Sequence, residues 1–164
     1  MKLSILITLL NEELVLAQTH AAISAQLEDM LGKDLSDYEI LYIDDGSNDR
    51  TFELIAGIAR DNNRVKYIRF SRNFGRDSGI LAGFKYATGD AVMVMDGDLQ
   101  HPPYLIPLFL EAYKEGYDIV SGQRTRDGES FVGSTFARLF YFLSNKSMDV
   151  HLTDGKSELR LLSR

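Results

Sequence analysis

The stretch "VMVMDGDLQHPP", Val92 to Pro103, runs an apolar segment straight into two aspartates, Asp96 and Asp98, with one glycine between them. The length and β-branched content of the apolar part favour a strand over a piece of buried helix. Residues two apart in an extended segment point the same way, so the two carboxylates lie close together. Such an arrangement is costly unless something cancels the charge, and a divalent cation does so. Asp96, Asp98 and the amide oxygen of Gln100 offer hard oxygen ligands. Mg2+ or Mn2+ held in this way keeps waters and takes its remaining ligands from phosphates, which suits a nucleotide diphosphate. Gly97 permits the tight turn between the ligands. The plain alternative is a surface Asp-Gly-Asp turn, and the position after an apolar strand favours the metal reading.

Four more apolar runs of the same kind flank this one: "LSILITL" (Leu3 to Leu9), "YEILYID" (Tyr38 to Asp44), "VKYIRF" (Val65 to Phe70) and "YDIVSG" (Tyr117 to Gly122). Helix-like segments separate them. Leu14 to Leu31 is rich in Ala, Leu, Gln and Glu, and Phe52, Leu54, Ile55, Ile58 and Ala59 form a helical stripe. Pro103 suits a first helical turn, with Leu105, Leu108, Phe109 and Ala112 following at helical spacing. The alternation predicts right-handed βαβ crossovers and an α/β fold with a mostly parallel sheet between helices. In such sheets ligands bind beyond the carboxyl ends of the strands. There the sequence puts five polar clusters: Asn11 to Glu13, "DDGSNDRT" (Asp44 to Thr51), "SRNFGRDSG" (Ser71 to Gly79), Asp96 to His101, and "GQRTRDGES" (Gly122 to Ser130).

Within these clusters, one of the adjacent acids Asp44 and Asp45 faces the rim, where it can accept hydrogen bonds from a base or ribose. A plain turn, with Ser47 or Asn48 capping the next helix, is the alternative. Gly75, Gly79 and Gly83 form a bare stripe if helical, for close packing on the sheet or for backbone approach to a ligand. Arg72 and Arg76 beside them either pair phosphates or are solvated. His101 is a minor metal-ligand candidate. The aromatic-rich stretch Phe131 to Ser147 reads as core, or as a surface lying on lipid with Arg138 and Lys146 toward headgroups.

Composition narrows the class. The 164 residues, 45% hydrophobic and 26% charged, suit one soluble globular domain. The 24 acidic against 18 basic side chains, a net charge of −6, argue against a nucleic-acid binder that works through a general basic surface and leave room only for a local basic patch. Without cysteine there is neither a disulfide nor a thiolate metal site, which fits a reducing compartment. No run reaches the ~18–20 apolar residues of a membrane-spanning helix. The opening "MKLSILITLL" reads as a first buried strand rather than a leader, because Asn11, Glu12 and Glu13 follow at once.

The pieces "NEE", "YIDDGSNDRT", "SRNFGRDSGILAGFKYATGD", "VMDGDLQHPP", "GYDIVSGQRTRDGES" and "TDGKSELRLLSR" resemble, in order and across nearly the whole chain, glycosyltransferase family 2 of the GT-A fold. Within it they are most similar to the polyprenyl-phosphate branch that includes dolichyl-phosphate mannose synthases and bactoprenyl-phosphate glucosyltransferases. The resemblance implies a Rossmann-like GT-A α/β/α sandwich, with residues 1–164 as one catalytic domain lacking the C-terminal helices and membrane spans that branch members commonly carry. It implies that Thr8, Asn11, Glu12, Asp44, Asp45, Arg72 and Asp96 serve the nucleotide, and that Asp96, Asp98 and Gln100 hold the metal. Asp98 and Asp154 would be catalytic, Asp154 as a candidate general base near the acceptor, and Arg124 and Arg138 would receive the lipid phosphate. Thr8 and Leu10 depart from the proline and aromatic residue usual in the family's first strand. The activity implied is inverting transfer of a hexose from a UDP- or GDP-sugar to a polyprenyl phosphate at the cytoplasmic face of the cell membrane, with Mg2+ or Mn2+. Its alternatives are a polysaccharide or protein acceptor, or a nucleotide-binding fragment without activity. A sugar-nucleotide pyrophosphorylase would want a Gly- and Arg-rich loop where "LNEELVLAQ" stands.

Overall fold

The fold is taken from a computed structural model whose described residues are 1–98, 100–123 and 156–164. Along the chain run β1 (Lys2–Leu9), α1 (Leu16–Met30), β2 (Asp37–Asp44), α2 (Thr51–Asp61), β3 (Val65–Arg69), α3 (Arg76–Tyr86), β4 (Ala91–Asp96), α4 (Leu105–Lys114), β5 (Ile119–Gln123) and β6 (Lys156–Ser163). The strands form a six-stranded sheet in the order β3-β2-β1-β4-β6-β5. β1 pairs in parallel with β2 and β4, and β2 with β3. The mostly parallel α/β sheet read from the sequence is present. β6 was not among the strands read there: it pairs antiparallel with β4, Ala91 opposite Ser163 and Val94 opposite Arg160. Its alternation around Leu159 and Leu161 is too short to register alone, and its partner strand lies far away in sequence. The chain divides into two compact units, Met1–Val120 with Glu158–Arg164, and Ser121–Ser157.

In the first unit the strands β1, β2 and β4 are buried on both faces, as parallel strands between helices require, while the edge strand β3 is largely exposed. Leu3, Ile5, Ile7 and Leu9 of β1 join Tyr38, Ile40 and Tyr42 of β2, and Ala91, Met93 and Met95 of β4, in the larger core cluster. Leu16, Ile23 and Leu27 of α1, Ile55 of α2, and Ile106, Phe109 and Leu110 of α4 pack into the same cluster. The alternate residues Leu6, Leu41, Ile43, Val92 and Val94 form a smaller cluster with Ile80 and Phe84 of α3. Phe52 of the predicted α2 stripe leaves the core: its ring meets Tyr67 edge-on, centroids 5.4 Å apart.

The glycine stripe divides by position. A Cβ at Gly79 would lie 2.8 Å from Thr8 Cγ2, and one at Gly83 would overlap the Leu6 side chain. Both glycines therefore let α3 press against β1, the packing role rather than a ligand role. Gly75, just ahead of α3, has φ +90°, a conformation that glycine adopts at no steric cost.

The amino-terminal end of the sheet is closed by a polar network. Glu39 is buried and accepts from Ser4 Oγ at 2.6 Å, Lys66 Nζ at 2.6 Å and the Thr88 N–H at 2.5 Å. Burial pushes its carboxyl up, but these donors outweigh burial and hold it down at about 2, from an ordinary 4.5. A depressed carboxylate stabilises the fold fully above its unfolded value and loses that contribution as pH falls through the folded one. Urea denaturation should therefore show an acid-limb loss of about 2–3 kcal/mol between pH 4.5 and pH 2 that Glu39→Gln largely abolishes.

Candidate active site at the sheet rim

The parallel register sets the site. Thr8 lies opposite Asp96 and Leu9 opposite Asp44, so β1, β2 and β4 end at one level and release their loops together. Those loops hold one another. The Asp45 N–H donates to the Leu9 carbonyl, the Asn11 N–H to Ser47 Oγ at 2.9 Å, and the Glu12 N–H to Thr51 Oγ1 at 2.8 Å. In return, Asn48 N–H donates to Asn11 Oδ1 at 2.9 Å and Arg50 N–H to Glu13 Oε2 at 3.0 Å. Asn11 reaches this geometry at φ +57°, in the left-handed region that asparagine tolerates better than most residues. The turn formers of "DDGSNDRT" thus build the first loop as well as their own. The helix cap expected from Ser47 or Asn48 is not made, because Ser47 is spent on Asn11; Asp49 Oδ1 instead accepts the Thr51 N–H at 2.9 Å.

A cleft of about 280 Å³ opens above these ends, lined by Thr8, Leu9, Leu10, Glu12, Asp45, Asn73, Gly75, Arg76, Asp96, Gly97 and Asp98. Of the residues assigned from sequence to nucleotide or metal, Thr8, Glu12, Asp45, Asp96 and Asp98 come together here. Asn11, Asp44, Arg72 and Gln100 do not line it. Asn11 ties the loops. Asp44 is fully buried, accepting the Ser47 N–H and pairing with Arg69 Nε at 3.3 Å. The Arg72 guanidinium lies over the Phe74 ring, 4.2 Å from its centroid. Gln100 is exposed, and its N–H donates to Asp98 Oδ1 at 3.0 Å. Arg124, Arg138 and Asp154 lie outside the described residues, as does the stretch Phe131 to Ser147.

Asp45 shapes the cleft through backbone. Its two carboxylate oxygens accept the N–H groups of Phe74, at 2.8 Å, and Gly75, at 2.9 Å, fixing the loop that leads into α3. Gly46, at φ +76°, lets that loop pass, since a Cβ there would meet the Arg72 backbone at 2.5 Å. Gly97 has a different reason from the one its sequence suggested: its φ is not positive, and a Cβ would run into the Leu9 side chain. Its carbonyl accepts from the buried Thr19 Oγ1 at 2.8 Å, a tie from α1 into the middle of the Asp-Gly-Asp turn. A threonine inside a helix carries no sequence signal for such a role.

The charges are unevenly matched. Burial, then the carboxylates of Asp98 and Asp49, push the Glu12 carboxyl above its ordinary range. Asp98 therefore projects negative potential into the cleft. Asp96, by contrast, has protein partners on both oxygens: Arg76 Nη2 at 2.5 Å from Oδ1, and Nδ1 of the buried His101 at 3.2 Å from Oδ2. Sequence reasoning left Arg76 undecided between phosphate and solvent and named His101 only as a minor ligand; both stand at Asp96. Among the described residues no group of three or more His, Cys, Asp or Glu is arranged to cage a metal. Two cleft-lining carboxylates do fit a divalent cation of the kind that draws its other ligands from phosphates and water.

The family model described as Glycosyl transferase family 2 matches residues 4–164. CsbB of Bacillus subtilis (strain 168), named as a glycosyltransferase, is 53% identical over 128 residues, 78% of this chain and 39% of its own length. The undecaprenyl-phosphate 4-deoxy-4-formamido-L-arabinose transferase of Aeromonas hydrophila is 34% identical over 98% of this chain and 48% of its own length. The chain thus spans less than half the length of these relatives. The mannosyltransferase PcManGT of Pyrobaculum calidifontis, solved with GDP-Man and Mn2+, superposes with a TM-score of 0.65 at 19% identity, over 99% of this chain and 44% of that one. That likeness shows the fold, GT-A. With a family model covering nearly every residue, and a rim cleft at the strand ends where the fold puts its ligands, the chain belongs to glycosyl transferase family 2.

Proposed function

We propose that this domain transfers a hexose from a UDP- or GDP-sugar to a polyprenyl phosphate, with inversion at the anomeric carbon and a divalent cation on the donor diphosphate. The observation that carries the reading is the cleft in which Asp96 and Asp98 stand beside Glu12, Asp45 and Arg76 at the carboxyl ends of three parallel strands. Support for the acceptor comes from the relative named as an undecaprenyl-phosphate transferase, and support for cation and donor from the GT-A neighbour solved with GDP-Man and Mn2+. On this reading the domain works at the cytoplasmic face of the membrane, where acceptor lipid and soluble donor meet. Among the described residues no helix is long and apolar enough to cross a bilayer.

Asp96 and Asp98 would hold Mg2+ or Mn2+, which supplies Lewis-acid stabilisation of the departing diphosphate. Thr8, Glu12 and Asp45 wall the cleft on the nucleotide side, with Asn11 and Asp44 shaping it from behind. The acceptor phosphate oxygen forms a bond to the anomeric carbon as the bond to the donor diphosphate breaks, and the nucleoside diphosphate leaves with the electron pair. A phosphate monoester is already largely ionised near neutral pH. The protein therefore contributes positioning more than proton removal. Arg124 and Arg138 are proposed to receive the acceptor phosphate, and Asp154 to orient it.

Two outcomes test this. Asp98→Ala should lower Mn2+-dependent UDP or GDP affinity, measured by calorimetry, by more than about a hundredfold, beyond the 10–100-fold usual for a supporting residue. Unchanged affinity removes the metal assignment. With radiolabelled UDP- and GDP-hexoses, the chain should glycosylate polyprenyl phosphate and leave the matching polyprenol untouched; label in a polysaccharide or protein fraction instead would overturn the acceptor.

A further inference from the structure

We infer that Arg76 is an exchangeable counter-ion that neutralises Asp96 while the cleft is empty and passes to the donor's diphosphate when a cation takes its place. Cation and nucleotide binding are thereby coupled through one side chain. The inference rests on the metal and nucleotide reading above and adds to it the means by which the site tolerates being empty.

The first observation is the pairing. Arg76 Nη2 stands 2.5 Å from Asp96 Oδ1, and both side chains are only partly covered, 31% and 22% exposed. A guanidinium at that oxygen and a cation using the same oxygen compete, since both are positive and both are drawn to its lone pairs. The second observation is the inventory of the cleft. Glu12, Asp45, Asp96 and Asp98 are its acidic lining residues, and Arg76 is the one basic residue among the described residues that line it. Asp45 is already satisfied by two backbone N–H groups. Burial first, and then the neighbouring charges of Asp98 and Asp49, raise the Glu12 carboxyl. An anionic diphosphate entering this field meets net repulsion until a cation arrives, and the basic lining side chain is then best used on the phosphates.

The third observation is the anchoring. Arg76 opens α3, and the residue before it is held by its N–H to the Asp45 carboxylate at 2.9 Å. Gly79 and Gly83 press the same helix onto β1. The Arg76 backbone is thus fixed at the cleft wall, and only its long side chain needs to swing. His101 Nδ1 lies 3.2 Å from the other oxygen of Asp96, on the side away from the guanidinium's contact. Arginine is suited to both positions because its planar fork matches carboxylate and phosphate equally well.

The exchange predicts effects of opposite sign from one substitution. Removing Arg76 removes a competitor for the cation and a partner for the diphosphate. In Arg76→Gln, Mn2+ titrated into the nucleotide-free chain and followed by electron paramagnetic resonance should bind about three- to tenfold more tightly, the scale of a partly exposed ion pair. UDP or GDP titrated at saturating Mn2+ should bind about ten- to a hundredfold more weakly, the scale of a charge-assisted hydrogen bond to phosphate. The factor by which nucleotide improves Mn2+ affinity must shrink correspondingly, because the coupling is reciprocal. Arg76→Lys, which keeps the charge and loses the fork, should fall between the two proteins in both titrations. Weaker or unchanged Mn2+ binding in Arg76→Gln, with the unaltered chain binding both ligands, overturns the exchange and leaves the transferase reading standing. If the unaltered chain binds neither Mn2+ nor either nucleotide, the reading beneath it fails instead.

Discussion

Every feature of the cleft depends on the parallel register of β1 with its two neighbours. Because Thr8 stands level with Asp96, and Leu9 with Asp44, three chains leave the sheet at one height. Their loops, rather than any single motif, then enclose a volume. Parallel strands need crossover helices, and crossovers place all the exits on one side. Acids more than 50 residues apart thereby share one electrostatic problem: Glu12 feels Asp98, and Asp45 faces the same cleft.

The loops show how the molecule accommodates that crowding. Polar side chains that look like surface are committed to backbone groups: Ser47 and Thr51 to the N–H groups of Asn11 and Glu12, Asp45 to Phe74 and Gly75, Thr19 to the Gly97 carbonyl. Buried polar groups must be satisfied, and here their partners are loops that have no regular ladder of their own. The result is a rim whose loops are cross-linked by hydrogen bonds. On that rim a few charged side chains remain to meet a ligand, and Arg76 with Asp96 are the pair whose contact a ligand would have to change. At the opposite end of the sheet, the buried Glu39 carboxylate is matched by Lys66, Ser4 and the Thr88 N–H.

Much of this was legible along the chain. The apolar runs of β1 to β5, the helical stripe of α2, and the family resemblance rest on local patterns that tertiary packing reinforces. The D-x-D acids and Glu12 could be assigned to the rim because a strand's end is a local property. Contacts with remote partners are not legible in the same way: Asn11 and Asp44 tie loops together, and Arg72 lies on Phe74 while Arg76 lines the cleft. β6 went unread because its evidence is a β4 edge far earlier in the chain, Ala91 against Ser163 and Val94 against Arg160.

The primary structure, then, was enough to establish an alternating α/β chain, the side of the sheet on which its chemistry gathers, and the family. Those conclusions need only periodicity, which short stretches carry. Which of two adjacent acids meets the cleft, which arginine reaches Asp96, and what Gly97 packs against were decided by packing. Each is a matter of a few ångströms between segments far apart in sequence, set by the register of β1 and the press of α3 against it, and no local pattern encodes such distances.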